Sequence, residues 1–340
     1  MIDRICAEFL DRVEELQTEV ETIYFGGGTP SLLLPEELKQ LMDTLHSRID
    51  FNDVKEITLE ANPDDITPSN LESWRAMGIN RLSIGIQSFK QVDLNWMNRA
   101  HTVTDAEQCV ALAKEAGFHS FSVDLIYGLP DLTLQEWEDH LLRVIASGVD
   151  HISAYCLTVE DKTVLHKMVN SGKLIPANED IQSDQFELLV STLTSAGFEH
   201  YEVSNFAKSG AYARHNTAYW TGQSYLGVGP SAHSFNGHER RWNCSNNQQY
   251  LKGGQSGWFE IESLGPKERW NELLLTGLRT NFGVNLSQLY AINNPTALFF
   301  STINDFIDAG WLIQKKNQLF LTTTGRLKAD HIASSLFLIE

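Results

Sequence analysis

The sequence predicts an α/β fold in which repeated β–α units build a parallel sheet, followed by a small C-terminal domain. Two patterns support this prediction. Between about residues 22 and 160, short apolar and β-branched segments alternate with segments of helical periodicity, as expected for the strands and helices of repeated β–α units. From about residue 266 the pattern changes to helices followed by two strand-like segments, which indicates a helical, winged-helix-like domain.

Five segments are predicted to be the parallel strands, because each is short, apolar and rich in β-branched residues. These strands span residues 22–25, 56–59, 81–86, 121–126 and 151–156. Helices are predicted between them at residues 35–48, 70–77, 105–116 and 134–147. Gly78, Gly117 and Gly148 stand at positions where glycine commonly ends a helix.

The pattern is less regular after residue 156. A further helix that begins near Ile181 and ends near Gly197 leads to a strand-like segment at residues 201–204, so the sheet is expected to extend beyond its fifth strand. Residues 205–258 are rich in Gly, Asn, Ser, Tyr and Trp. They are interpreted as an ordered irregular segment, and a loop of this length is usually functional. The C-terminal helices are predicted at 266–279, 287–292 and 295–309, and the two strands at 311–314 and 318–321.

The composition argues against some classes of partner. Lys and Arg number 26 and Asp and Glu number 44, so the formal net charge is −18, and this charge repels nucleic acid. No apolar segment approaches the roughly 18 residues of a membrane span. The N-terminus shows no secretory signal, and the four cysteines lie far apart in the chain. Together these features predict a soluble cytoplasmic protein with reduced thiols.

Polar residues stand at the carboxyl ends of consecutive predicted strands. The first strand is followed by a glycine-rich sequence at residues 26–29, and the next three end in Glu60, Gln87 and Asp124. Ligands collect at this edge of a parallel α/β sheet or barrel. A tight turn explains a lone glycine-rich loop equally well, and a helix cap explains a single polar residue. Four consecutive strands that end this way indicate a site for a polar cofactor.

Five motifs in this order resemble the HemN/HemW family of radical S-adenosylmethionine (SAM) proteins. They are Gly-Gly-Gly-Thr-Pro at 26–30, Leu-Glu-Ala-Asn-Pro at 59–63, Ser-Ile-Gly-Ile-Gln-Ser-Phe at 83–89, Arg-Ala-His at 99–101 and Asp-Leu-Ile-Tyr-Gly-Leu-Pro at 124–130. The resemblance extends over residues 2–340. It implies a partial (β/α)6 radical SAM barrel at residues 1–205, a heme- or substrate-loop segment at 206–260 and a HemN-type C-terminal domain at 261–340.

The resemblance also implies a SAM-binding site. The glycines and the threonine of the first loop would contact the amino acid part of SAM, and the other residues would hold its remaining polar groups. Carboxylates suit the sulfonium, the ammonium and the ribose hydroxyls, and arginine suits the SAM carboxylate as a bidentate partner. The residues implied are Gly27, Gly28, Thr29, Glu60, Gln87, Arg99 and Asp124.

A further motif, His-Asn-x-x-Tyr-Trp at residues 215–220, resembles the heme chaperones of the family more than its oxidases. It implies a heme site formed by His215, Asn216, Tyr219 and Trp220. A neutral imidazole is a common iron ligand, and aromatic rings offer a flat apolar surface to a porphyrin. Taken alone, a histidine such as His215 is more often a hydrogen-bonded structural residue than an iron ligand. The sequence Gly-Val-Gly-Pro-Ser-Ala-His-Ser at 227–234 also matches the family, and we expect it to shape a loop over the barrel mouth.

The chain departs from the family at the cluster ligands. Radical SAM chemistry requires a [4Fe–4S] cluster held by three cysteines in Cys-x3-Cys-x2-Cys spacing. Here Cys6, Cys109, Cys156 and Cys244 lie dozens of residues apart, and each is expected to be structural. Family members begin with a strand and the cysteine loop, whereas Met1 stands at the start of the helix that follows. We therefore expect the first barrel strand to be missing, through a late gene start or in a truncated paralogue.

The resemblance leaves several functions open. The first is a heme chaperone that binds heme and transfers it to heme-accepting proteins, with SAM and a [4Fe–4S] cluster in the full-length family. The alternative is an enzyme of porphyrin biosynthesis, an oxygen-independent coproporphyrinogen III oxidase. A third is a clusterless SAM- or porphyrin-binding adapter. Without the cysteine loop the chain is not expected to cleave SAM reductively, and no catalytic residue is predicted.

Overall fold

The computed structural model describes residues 1–253 and 257–339. Its α-helices are, in chain order, α1 (Ile2–Arg12), α2 (Pro35–His46), α3 (Pro68–Ala76), α4 (Gln91–Trp96), α5 (Val103–Glu115), α6 (Leu134–Ala146), α7 (Val164–Asn170), α8 (Glu179–Ser195), α9 (Arg214–Trp220), α10 (Asn247–Lys252), α11 (Pro266–Leu278), α12 (Leu286–Ile292), α13 (Ala297–Asp308), α14 (Thr323–Arg326) and α15 (Ala329–Ser335). Its strands are β1 (Thr22–Phe25), β2 (Glu56–Ala61), β3 (Arg81–Gln87), β4 (Ser120–Tyr127), β5 (His151–Cys156), β6 (Glu199–Glu202), β7 (Asn205–Ala207), β8 (His233–Phe235), β9 (Glu239–Asn243), β10 (Phe259–Ser263), β11 (Val284–Asn285), β12 (Leu312–Lys315) and β13 (Gln318–Leu321).

The main sheet confirms the predicted α/β fold. Its strand order is β1-β2-β3-β4-β5-β7-β6, and the pairs from β2 to β5 are parallel. The sheet also extends beyond the fifth strand, as predicted, but through a hairpin. The short strand β7 pairs antiparallel with both β5 and β6. Only Val203 and Ser204 separate β6 from β7, and so short a connection forces the chain to turn back on itself.

The helices between the strands begin where side chains satisfy the free amides of the first turn. In α6, Thr133 Oγ1 accepts from the amide of Glu136 at 3.2 Å and the Glu136 carboxylate accepts from the amide of Thr133 at 3.0 Å. Thr102 and Asp105 form the same reciprocal pair at the start of α5. Such capping boxes stabilise helix starts, and they explain why the periodicity predicted these helices within a few residues.

The two faces of the main sheet differ in polarity, because successive strand residues point to opposite sides. One face is apolar and fully buried, with Leu59, Leu82, Ile84, Val123, Leu125 and Ile152. The alternate positions carry polar side chains, namely Thr58, Glu60, Arg81, Ser83, Ser122, Asp124, His151 and Ser153. A polar face on a buried parallel sheet is unusual. It indicates that this side of the sheet serves a ligand.

The C-terminal residues form helices around a small sheet of order β11-β13-β12. Trp270 of α11 is fully buried, and its ring meets that of Phe299 of α13 edge-on at 5.2 Å. Gly277 of α11 lies against β11, where a side chain would meet Val284. These features agree with the predicted small helical domain with a β-hairpin.

Residues 205–258 contain more regular structure than the sequence predicted. They include β7, α9, β8, β9 and α10, and β8, β9 and β10 form a three-stranded antiparallel sheet. The strands were missed because they are only 3 to 5 residues long. Within the predicted 206–260 segment, residues 254–256 lie outside the described residues.

The chain divides into two compact units. The first comprises residues 1–23, 33–56 and 214–340, and the second comprises residues 24–32 and 57–213. In the first unit, α1 packs on α2, and α11 packs on α15. In the second, α6 packs on α8 beside the main sheet. The predicted division at residues 205 and 260 stays a prediction. No helix of the described residues is long and apolar enough to cross a membrane.

Candidate functional site

Glu60, near the carboxyl end of β2, organises the loop that follows β1. Its Oε1 accepts from the hydroxyl of Tyr24 at 2.7 Å, and its Oε2 accepts from the amide of Gly27 at 3.2 Å. Burial and the negative charge of Glu60 raise the pKa of Tyr24, which keeps the phenol protonated. A side chain on Gly26 would collide with Tyr24 and with the Glu60 carboxylate. Glycine at position 26 therefore lets the loop close over Glu60.

The rest of the glycine-rich loop is exposed. Gly27 and Gly28 have φ values of +78° and +122°, which L-residues with side chains rarely adopt. A side chain at either position would meet nothing within 4 Å. Glycine is therefore required here by the backbone conformation, and the space beside the loop is open. Thr29 is exposed, and its carbonyl accepts from the amide of Leu32 at 3.1 Å. The loop thus presents backbone to solvent beside Glu60.

Gln87 and Arg99 meet at the carboxyl end of β3. A side chain on Gly85 would lie 2.7 Å from Nε2 of Gln87 and 3.1 Å from Nη2 of Arg99, so both side chains cross the same glycine. Arg99 donates to Oδ1 of Asn62 at 2.9 Å and to the Gly85 carbonyl at 3.3 Å. Gln87 has φ of +67° at a register shift in the β3–β4 pairing. Strained backbone of this kind clusters at functional sites.

His101 holds the Arg-Ala-His motif against β3. Its Nε2 lies 3.0 Å from the carbonyl of Ile86, and the side chain is 1% exposed. Burial lowers the pKa of His101, so the imidazole is neutral and donates to the carbonyl. The histidine of the motif therefore anchors the segment that carries Arg99.

Asp124 is the carboxylate of β4 on the polar face. Its Oδ2 accepts from the Ser83 hydroxyl at 3.2 Å, and Ser83 in turn lies 2.9 Å from the hydroxyl of Ser122. Burial raises the pKa of Asp124 to about 6, against the opposing effects of the Ser153 and Ser83 hydroxyls and of Arg81, and the charge of Glu60 adds to the rise. Oδ1 of Asp124 is buried without a hydrogen-bond partner. It is an acceptor that a ligand donor would satisfy.

The structure thus places the predicted SAM residues at the carboxyl ends of neighbouring strands. Glu60 accepts a hydrogen bond from the amide of Gly27. Gln87 and Arg99 both lie over Gly85, and the negative charge of Glu60 contributes to the raised pKa of Asp124. Two carboxylates, an arginine, open loop backbone and an unsatisfied acceptor fit a ligand with hydroxyl, ammonium and carboxylate groups. The residues therefore fit SAM.

Sequence reasoning missed two groups on the same sheet. Tyr24 was assigned only to a strand, although it shares Glu60 with the loop. His151 of β5 is 2% exposed, and its Nε2 lies 2.7 Å from the hydroxyl of Tyr201. Burial and the charge of Arg81 lower the pKa of His151 well below its usual range. The polar positions alternating along β5 were the signal that could have identified His151.

The turn after Asp124 is fixed by Gln185 of α8, another residue that the sequence did not single out. The side-chain carboxamide of Gln185 accepts from the amide of Gly128 at 2.7 Å and donates to the carbonyl of Leu132 at 2.8 Å. The backbone carbonyl of Gln185 accepts from the indole of Trp137 at 2.9 Å. Gln185 is fully buried. It explains the Gly-Leu-Pro part of the motif, where Gly128 adopts φ of +72°.

The cysteines do not form a cluster site. All four lie in the described residues without a disulfide, Cys6 and Cys109 being buried. Burial also raises the pKa of Cys109 to about 12 and raises that of Cys156, so neither is a ready thiolate. Across residues 1–253 and 257–339, no three His, Cys, Asp or Glu side chains converge as metal ligands. The described residues therefore do not fit a [4Fe–4S] cluster.

His215 of the second motif lies at the start of α9, beside the first residues of β1 and β2. Its Nδ1 is 2.8 Å from Oγ1 of Thr22, and its Nε2 is 2.8 Å from the hydroxyl of Tyr219 one turn along the helix. The Glu56 carboxylate accepts from the amides of Arg214 and His215 at 3.0 and 3.1 Å. Glu56 thereby satisfies two of the free amides at the helix start.

The other residues of this motif face different surroundings. Tyr219 is 39% exposed, and its ring meets that of Tyr225 edge-on at 4.6 Å. Trp220 lies under the guanidinium of Arg279, whose Cζ is 5.3 Å from the ring centre, and the indole Nε1 is buried. Asn216 is half-buried. Tyr219 therefore offers accessible ring surface beside His215, whereas one face of Trp220 is already covered.

A buried ion pair holds the Gly-Val-Gly-Pro segment in the first unit. Glu8 and Arg12 of α1 pair at 2.7 Å. Glu8 accepts from the amide of Gly229 at 3.0 Å, and Arg12 donates to the carbonyl of Gly227 at 3.0 Å. The sequence predicted that this segment forms a loop, but it did not predict the attachment to α1.

Known protein families match both the N-terminal and the C-terminal part of the chain. A sequence profile of the radical SAM superfamily matches residues 2–144, and one of the HemN C-terminal domain matches residues 264–327. The chain is 32% identical to the heme chaperone HemW of Bacillus subtilis (strain 168) over 323 residues, which cover 93% of this chain and 85% of that protein. It is 35% identical to heme chaperone HemW of Mycobacterium tuberculosis over 324 residues, which cover 93% and 80%.

The fold also matches a solved structure. Coproporphyrinogen III oxidase HemN from Escherichia coli, a radical SAM enzyme, aligns with a TM-score of 0.83 at 23% identity, over 100% of this chain and 83% of that one. At this identity the likeness shows the fold. It agrees with the predicted partial radical SAM barrel and the C-terminal domain.

Proposed function

Since the chain belongs to the HemW family of heme chaperones within the radical SAM superfamily, we propose that it binds heme and transfers it to heme-accepting proteins. The observation that carries the proposal is the hydrogen bonding and the surroundings of the His215 imidazole. Its imidazole lies between two hydroxyl groups at 2.8 Å on a short helix that also presents the exposed ring of Tyr219. Imidazole is a common axial ligand of heme iron, and an aromatic ring packs well against a porphyrin.

Transfer requires that the bound heme remain removable. A heme held by one imidazole beside an exposed tyrosine can leave without unfolding of a domain core. Such a site suits a carrier better than a permanent heme pocket, because release requires only that the bond between the imidazole and the iron be replaced. The acceptor proteins would supply the competing ligand.

The residues around Glu60 would hold SAM. The Gly27 and Gly28 backbone and Arg99 suit its amino acid part, and the unsatisfied Oδ1 of Asp124 suits a ribose hydroxyl. When it is bound to an enzyme, SAM can supply a methyl group or a 5′-deoxyadenosyl group to the reaction. The described residues do not fit a cluster, so no radical step is part of the proposed function.

Two further features belong to the proposal. The unpaired cysteines suit a reducing compartment, so the protein would act in the cytoplasm. The net charge of −18 disfavours nucleic acid as a partner. The alternative, a coproporphyrinogen oxidase, is supported by a fold likeness at 23% identity, whereas the relatives reported above at more than 30% identity are heme chaperones.

The proposal is tested by a transfer experiment. The purified chain is loaded with heme, passed through a desalting column and mixed with excess apomyoglobin, and transfer is followed by the absorption of holomyoglobin. We expect the wild type and a His119→Ala control, changed at an exposed histidine, to retain heme and then deliver it. His215→Ala should leave the column without heme. Heme that is retained but never delivered, or never retained by the wild type, would contradict the proposal.

A further inference from the structure

Both ring nitrogens of His215 are engaged by hydroxyl groups of the first unit. Nδ1 lies 2.8 Å from Oγ1 of Thr22, and Nε2 lies 2.8 Å from the hydroxyl of Tyr219. The Tyr219 ring stands edge-on to the imidazole, with ring centres 4.9 Å apart at 81°. An iron ligand must offer a nitrogen lone pair, so the direction of these two hydrogen bonds decides which nitrogen is able to bind.

The acidities of the two hydroxyls decide the direction. A phenol, with a pKa of about 10, is a far stronger hydrogen-bond donor than an aliphatic alcohol. Tyr219 therefore donates to Nε2, which carries the lone pair. Nδ1 then carries the proton and donates to Thr22 Oγ1. This is the arrangement of metal-binding histidines, in which the second nitrogen donates to a fixed acceptor that sets the tautomer and the ring orientation.

The acceptor is itself held by the sheet. Thr22 is the first residue of β1 and is half-buried. Glu56, the first residue of β2, is 6% exposed and binds the amides of Arg214 and His215. The backbone of His215 is thus attached to one strand and its ring to the neighbouring strand. A ring held at both points has little freedom to turn away.

We propose that Thr22 is the positioning residue of the heme-iron ligand, and that Tyr219 occupies the iron-binding lone pair of His215 in the heme-free chain and is displaced by iron. The inference rests on the proposed function and deepens it. Tyr219 then acts as an internal competitor that weakens heme binding and eases release. Iron binding to Nε2 breaks one hydrogen bond from Tyr219 and leaves the Nδ1–Thr22 hydrogen bond in place.

Opposite effects on heme affinity follow for the two hydroxyls. Tyr219→Phe keeps the aromatic ring and removes the competitor, so heme should bind about 3- to 10-fold more tightly, the range expected for one hydrogen bond. Thr22→Val keeps the size of the side chain and removes the acceptor, so heme should bind at least about 10-fold more weakly, as for other partners of metal-binding histidines. Thr22→Ser restores an acceptor and should recover most of the affinity.

The test is a heme titration of the full chain followed in the Soret region, with folding of each variant checked by circular dichroism. Thr221→Val is the matched control, since the Thr221 hydroxyl donates to the carbonyls of Thr217 at 2.9 Å and of Ala218 at 3.3 Å in the preceding helix α9. We expect the control to bind as the wild type does. Thr22→Val should in addition shift the Soret maximum or the spin state of the bound heme, because the imidazole changes its tautomer or orientation.

The possible outcomes separate this inference from the function on which it rests. No saturable binding by the wild type would overturn both. Saturable binding lost in His215→Ala, with Tyr219→Phe binding equally or more weakly than wild type, would keep the function and overturn the role of Tyr219 as a competitor. Equal affinity and equal spectra for Thr22→Val and wild type would overturn the role of Thr22.

Discussion

Glu8 and Arg12 form an ion pair at 2.7 Å on consecutive turns of α1, with their side chains 0% and 5% exposed. Glu8 also accepts hydrogen bonds from Asn243 at 2.8 Å, from Tyr250 at 2.6 Å and from the amide of Gly229 at 3.0 Å, so its charge has four partners in the first unit. A buried carboxylate is tolerated because it is paired and hydrogen-bonded in this way. Removal of one partner would leave the other charge without compensation.

We therefore expect Arg12→Met to destabilise the protein by about 3–5 kcal/mol, the cost of breaking a buried ion pair. Lys39→Met provides the control, since Lys39 and Asp43 pair at 2.6 Å with the same spacing on α2 but are 64% and 62% exposed. An exposed pair of this kind contributes less than about 1 kcal/mol. Urea unfolding measures both, and equal losses would show that burial does not distinguish the pairs.

Asp124 should make stability fall as the pH rises. Burial raises its pKa in the folded protein to about 6, above the usual value near 3.9 in an unfolded chain. The contribution of the protonated carboxyl is complete below the unfolded pKa and is lost as the pH rises through the folded pKa. The free energy of unfolding of Asp124→Asn, relative to that of wild type, should therefore rise by about 2–3 kcal/mol between pH 4 and pH 7. A difference between the two proteins that is independent of pH, in urea unfolding, would contradict this account.

His151 should have the opposite effect at mildly acid pH. Burial lowers its pKa well below the usual value. At mildly acid pH the imidazole is therefore protonated in the unfolded chain and neutral in the folded chain. Its contribution to stability is present above about pH 6.5 and is lost as the pH falls below that value. His151→Gln should reduce the loss of stability between pH 6.5 and pH 5 by about 2 kcal/mol. If the variant and the wild type lose the same stability over this range, the imidazole is not buried as a neutral group.

The SAM residues are tested by calorimetric titration with SAM. Glu60→Gln weakens the acceptor that bonds Gly27 and Tyr24, and Asp124→Asn removes the negative charge of the carboxylate whose Oδ1 has no hydrogen-bond partner. Each should weaken SAM binding by about tenfold, or 1.4 kcal/mol. Glu36→Gln, at an exposed position in the first turn of α2, should bind SAM as the wild type does. Unchanged affinity in the first two variants would place SAM elsewhere.

The sequence predicted the main sheet because its strands and helices carry local signals. The alternation of short apolar segments with periodic helices requires no knowledge of distant residues, and capping boxes such as Thr133 and Glu136 mark helix starts within four residues. Parallel strands bring their carboxyl ends to one edge, so the grouping of Glu60, Gln87 and Asp124 followed from the strand positions alone.

The remaining features depend on contacts between distant residues. Thr22 and His215 are separated by 193 positions, and Glu8 and Asn243 by 235, so no local pattern relates them. The hairpin of β6 and β7 was missed for another reason, because three- and four-residue strands carry too few positions to show an alternating pattern. Trp220 matched a motif, yet its position under Arg279 is a property of the packing of α9 beside α11.

The central claim is that this chain binds heme through His215. The most direct measurement is a heme titration of wild type, His215→Ala and a control, His238→Ala, changed at an exposed histidine outside the motif. We predict a saturable Soret shift in the wild type and in the control, and its loss in His215→Ala. An identical saturable shift in all three proteins, or no saturable shift in the wild type, would contradict the claim.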